Sequence, residues 1–154
     1  MSSVENYIPY QPNAQGLTEA LIDLKSTMPS QTVFKVTGYN TTCFEDVTQG
    51  QVLYSRASDG QVGRAIANDT FDKACVAGIA ETTKTAGQSV KVIVAGIVAT
   101  SGLNTGDQYF LSAASAGALF ETPPSSAGQY VTRVGEAGST GQFIVNAERP
   151  ILLS

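Results

Sequence analysis

The second half of this chain, residues 76–153, restricts its fold more than any other segment, because short apolar runs follow one another with little but turns between them. The runs are residues 75–80, 89–96, 108–111, 129–135 and 142–146, and Gly, Ser, Thr, Asn and Pro separate them. Short runs rich in Val, Ile, Tyr and Phe between such turn residues predict strands. Many strands at close spacing predict an all-β module, a β-sandwich or a β-barrel-like domain.

A chain of 154 residues has the size of one ordinary domain. Residues 31–154 are assigned to a β-rich domain and residues 1–30 to an N-terminal extended arm with one short helix. Ala, Thr, Gly and Ser supply about two-fifths of the residues, so each strand buries little apolar area and the core is thin. Such proteins complete their burial across subunit contacts, which favours an obligate oligomer.

Residues 2–15 read as the arm. Pro9 and Pro12 resist helix, while Tyr7, Ile8 and Tyr10 are too apolar for an idle tail. These three side chains are candidate partner-binding residues. The helix signal covers residues 17–28, with Thr18 as N-cap, Glu19 in the first turn and Pro29 closing it. Leu17, Leu21, Leu24 and Met28 fall in one narrow stripe, and a helix of about 12 residues is marginal alone in water. The stripe therefore docks on its own sheet, on symmetry mates or on a partner, and Leu17, Leu21 and Leu24 join the partner-binding candidates.

From Gln31 the apolar period changes to two, which predicts a strand through Tyr39. Residues 52–56 and 62–67 read as a hairpin around Ser58-Asp-Gly60, and residues 68–73 as a polar loop. Val90, Val92 and Val94 alternate with Lys91, Ile93 and Ala95, the pattern of a strand with one buried face. Pro123 and Pro124 exclude a central strand and place their segment at an edge or in a surface loop. The apolar end, Pro150-Ile-Leu-Leu153, is expected to be tucked in.

The chain contains no histidine, which removes Ser-His-Asp and Cys-His arrangements, histidine acid-base chemistry and most catalytic zinc sites. Glu45 with Asp46, and Asp69 with Asp72, sit beside turn residues and read as solvated loop charge, not as a glycosidase couple. Neither glycine-rich stretch, 96–106 or 135–141, carries Gly-Lys-Ser/Thr or opens a helix, so neither is a phosphate loop. Cys43 and Cys75 lie too far apart for a C-x-x-C motif and read as two small buried hydrophobes. Tyr54, Tyr109 and Tyr130 could stack on sugars, yet each lies in a predicted strand, where core or interface packing is the commoner role. No catalytic, cofactor or metal residue is assigned.

With nine Lys and Arg against thirteen Asp and Glu, the net charge is -4, and no basic cluster with aromatic residues supports nucleic-acid binding. No apolar stretch is long enough to span a membrane. The first ten residues lack the basic and apolar segments of a secretory signal, so synthesis and folding are expected in a cytoplasm.

The phrases Val76-Ala-Gly-Ile-Ala80, Gly87-Gln-Ser-Val-Lys-Val, Gly96-Ile-Val, Gly102-Leu-Asn-Thr-Gly-Asp-Gln-Tyr-Phe-Leu111 and Val134-Gly-Glu-Ala137, with the ending Phe143-Ile-Val-Asn and Pro150-Ile-Leu-Leu153, form a recurring pattern. That pattern resembles a β-module of tailed-bacteriophage virion proteins, found in capsid decoration (cement) proteins and in head or tail fibre proteins. It covers about the C-terminal half. The resemblance implies a non-enzymatic subunit that commonly assembles as a homotrimer on the virion, with no small-molecule substrate. A decoration protein would sit on the capsid surface and contact the major capsid protein after assembly in the bacterial cytoplasm. The alternative is a fibre or adhesin module that binds a host-surface receptor.

Overall fold

The computed structural model describes residues 36–154. The expected arm, the helix over residues 17–28 and all six candidate partner-binding residues, Tyr7, Ile8, Tyr10, Leu17, Leu21 and Leu24, lie outside the described residues.

The described chain is all-β. Nine strands form one antiparallel sheet: β1 (Thr37–Thr42), β2 (Val52–Ser55), β3 (Val62–Arg64), β4 (Val76–Ala80), β5 (Ser89–Ala99), β6 (Gln108–Leu111), β7 (Leu119–Phe120), β9 (Arg133–Ala137) and β10 (Gln142–Asn146). Their order is β3-β2-β4-β5-β10-β9-β6-β7, with β1 also on β5, and the sheet curls into a half-barrel. A separate ribbon pairs β8 (Tyr130–Val131) with β11 (Ile151–Leu152). The loop of residues 112–118 draws the two ends of the curled sheet together. Gly117 N–H donates to the Ala65 carbonyl at 2.7 Å, Val52 N–H to the Gly117 carbonyl at 2.9 Å and Ala67 N–H to the Ser112 carbonyl at 2.9 Å.

β5 organises the sheet because its eleven residues serve three neighbours. β1 pairs along Ser89–Ala95, β4 at Val92 and Ile93, and β10 along Ala95–Ala99. Changing partners requires a change of phase, and the register of β1 against β5 shifts between Thr37 and Gly38. Gly96, at φ 109°, takes a backbone conformation that a side chain rarely adopts. The simple alternation expected for this strand therefore breaks. Val90, Val92 and Ile93 are all buried, whereas Val94 is exposed.

The break divides the core in two. Val92 packs with Cys43, Val47, Leu53, Val62, Ala80 and Val90, while Ile93 joins the larger cluster around Val52, Ile79, Leu111, Val134 and Phe143. Two further expectations change. Residues 68–73 are not all loop: Phe71–Ala74 forms one helical turn, α1, whose N-cap Thr70 hydroxyl accepts from Lys73 N–H. A single turn is too short to display a helical period. The run 129–135 divides at Thr132, whose hydroxyl donates to the Ala74 carbonyl at 3.0 Å while its own carbonyl accepts from Leu111 N–H.

Candidate functional site

The polar groups that could suggest catalysis are engaged in holding the fold. Glu45 accepts from Arg64 N–H at 2.7 Å and from the Arg64 guanidinium at 3.0 Å, bridging its loop to β3. Asp46 accepts from Ala86 N–H at 2.9 Å, and Asp69 pairs with Lys73 at 2.6 Å. Among the described residues no cluster of three or more His, Cys, Asp or Glu side chains could hold a metal ion, and no helix is long and apolar enough to cross a membrane.

The cysteines are unpaired. Cys43 is buried, and its thiol faces the Thr85 and Gln88 carbonyl oxygens at 3.2 and 3.4 Å. Cys75 is half-buried at the end of α1. Burial, followed by the charge of Asp72, pushes its thiol above the usual range, away from the thiolate that nucleophilic chemistry needs.

The tyrosine faces are likewise spoken for. Tyr54 and Tyr109 are buried, Tyr109 edge-on to Phe143 at 6.1 Å between ring centres, and half-buried Tyr130 stands edge-on to Phe71 at 6.0 Å. The hydroxyl of Tyr109 nevertheless reaches out of the core. It accepts from Asn104 N–H at 2.8 Å and donates to a Glu121 carboxylate oxygen at 3.2 Å.

Two surface features remain. One is apolar: Ile151 and Leu152 of β11 are 64% and 58% exposed, and Leu152 pairs with Tyr130, on which Phe71 packs. The expectation that the apolar end is tucked in fails here, because β11 satisfies its backbone on β8 and leaves its side chains outside. The other is an open groove beside β7, lined by Gln51, Thr100, Leu103, Leu119 and Glu121. Periodicity and turn residues carry no signal for this groove, since its walls come from three segments far apart in sequence.

Fold and surface thus define an all-β module in which Glu45, Asp46, Asp69 and Cys43 make structural contacts. No protein-family model matches the chain, and no curated protein does.

Proposed function

We propose that this chain is a non-enzymatic structural protein of a tailed-phage virion, a capsid decoration protein that acts as a homotrimer on the major capsid lattice. The observation that carries the reading is the exposure of Ile151 and Leu152 on β11 and of Phe71 on α1, which packs on Tyr130 of the paired strand. Exposed aliphatic and aromatic side chains close together are the kind of surface that association covers. In this reading a second copy of the chain covers these side chains. The pattern of residues 76–153 supports the virion assignment.

The mechanism is geometric. A trimer seated where capsomers meet touches several capsid subunits at once, and linked contacts raise the effective affinity beyond that of each contact alone. The arm, through Tyr7, Ile8 and Tyr10, reaches the shell, because aromatic and aliphatic side chains on a proline-stiffened segment cost little to order on binding.

Deleting residues 2–12 tests the attachment, with a trimer of normal stability that no longer decorates capsids as the expected result. Full occupancy of shells by the truncated protein would end the attachment model. Copy number tests the location: hundreds of copies per virion fit decoration, whereas a few or a few dozen fit the fibre alternative.

A further inference from the structure

Two adjoining cavities, of about 420 and 540 Å³, share Gly102, Leu103 and Leu119 in their walls and together make a groove beside β7. Each lies in the range of small-ligand sites, roughly 300–1,000 Å³. Three polar side chains on its walls are only partly used. Gln51 Oε1 accepts from Thr48 N–H at 2.9 Å, which fixes the orientation of the amide and leaves both Nε2 hydrogens without a partner among the described residues. Glu121 Oε2 accepts from Asn104 Nδ2 at 2.7 Å and from the Tyr109 hydroxyl at 3.2 Å, while Oε1 has no partner among the described residues. Thr100 Oγ1 is buried in the wall with no hydrogen-bond partner among the described residues.

These groups are held from behind. Tyr109, which positions the Glu121 carboxylate, is only 2% exposed and braced by Phe143. Gln51 has room because Gly117, at φ 79°, carries no side chain: a Cβ there would lie 3.2 Å from both Cβ and Cδ of Gln51. An oriented donor in one cavity and an oriented acceptor in the next thus flank Leu103 and Leu119, which supply apolar surface between them.

We propose that this groove binds carbohydrate. Sugar hydroxyls donate to Glu121 Oε1 and accept from Gln51 Nε2, and the C–H face of the ring lies on Leu103 and Leu119. Among the described residues Glu121 is the sole charged side chain of the lining, so an anion is repelled and a divalent cation lacks the additional carboxylates it prefers. The rest of the lining is mostly polar and small, apart from Leu103, Leu119, buried Tyr109 and the exposed ring of Phe120. Sugar binding here does not depend on the place of the protein in a virion.

The test is a titration of the ¹⁵N-labelled full chain with glucose, galactose, N-acetylglucosamine, maltotriose and chitotriose. Each is taken to about 20 mM, enough to detect a Kd near 1 mM. The expected result is saturable amide shifts confined to residues 49–51, 99–104 and 117–122 with at least one sugar. Glu121→Gln and Gln51→Ala should each weaken that binding at least about tenfold while leaving the amide spectrum of the rest of the domain that of the folded parent. No saturable shift with any of the five sugars overturns the proposal, as do shifts located elsewhere and variants that bind like the parent. Shifts of the same amides with calcium chloride and not with sugar would make this a cation site and overturn it equally.

Discussion

One methyl group, added at Gly135 or at Gly138, distinguishes a glycine the sheet requires from one it merely tolerates. Gly135 lies in the middle of β9, opposite Val145 of β10 and Tyr109 of β6. A Cβ there would collide with the Ile144 carbonyl oxygen and stand 3.0 Å from two ring carbons of Phe143. Neither neighbour can move easily. The carbonyl belongs to the backbone of β10, and the Phe143 ring is fully buried against Tyr109. Gly135→Ala therefore forces β9 and β10 apart, and overpacking of this kind costs about 1–3 kcal/mol, here at the upper end because a backbone atom must shift.

Gly138, three residues on, differs in one physical respect. A Cβ at this position would sit at ordinary contact distance from its neighbours, 3.5 Å from Ile144 Cδ1 and 3.6 Å from Cγ1, and the φ of Gly138 lies outside the left-handed region. Gly138→Ala then stabilises by about 0.4–1 kcal/mol, chiefly by restricting the unfolded chain. The two variants should differ by about 2–4 kcal/mol, or roughly 5–15 °C in melting temperature for a domain of this size. Circular-dichroism melts, with urea unfolding to check that the m-value is constant, measure the difference. Phe143→Leu should not rescue Gly135→Ala, because the carbonyl remains. A Gly135→Ala protein that melts within about 2 °C of the parent, or no lower than Gly138→Ala, refutes the reasoning.

Glu45→Ala removes both hydrogen bonds to Arg64 and should cost about 0.5–1.5 kcal/mol in urea unfolding, discounted because both side chains are partly exposed; no loss would mean that the bridge is idle. The Arg56 guanidinium, then the Gln61 N–H, hold the Asp59 carboxyl below the usual carboxylate range. A depressed folded pKa gives stability that is present above the unfolded value and lost as pH falls through the folded one, so Asp59→Asn should flatten the acid limb of melting temperature below about pH 4. Parallel limbs would contradict this. Both thiols should react slowly with a disulfide reagent at neutral pH and rapidly after unfolding, since Cys43 is buried and burial raises Cys75; a fast thiol in the native protein would show the Cys75 environment to be wrong. If the chain forms the proposed homotrimer, Ile151→Asp with Leu152→Asp should dissociate it without lowering the melting temperature of the domain, as read by light scattering and calorimetry, and an unchanged oligomeric mass would remove these residues from the subunit contact.

The β-architecture is legible in the sequence because its signals are local. Val, Ile and aromatic runs mark strands wherever they occur, and Gly60, in the turn before β3, needs only its own φ of 75° to end one. The exposure of Val94 is not legible in the same way, because the face a residue occupies depends on pairing, and β5 changes partners near that point. Nothing in residues 89–99 alone announces that β1 and β10 meet at Ala95. The groove is illegible for a related reason: Gln51, Thr100 and Glu121 come from separate segments, and what singles them out is the hydrogen bonds they do not make.

The end of the chain poses the opposite problem. Ile151 and Leu152 pair with Val131 and Tyr130, so the backbone of Pro150-Ile-Leu-Leu153 is held by the fold, yet the burial expected of these apolar residues does not follow. Strand formation satisfies backbone N–H and C=O groups, whereas burial needs a second layer over the side chains. One copy of the domain supplies the first and not the second. A strand paired along one edge whose apolar side chains stay exposed among the described residues is therefore informative about assembly, because the described domain does not realise the free energy of their burial. The oligomeric state, and not a finer account of the monomer, is the measurement on which this part of the surface turns.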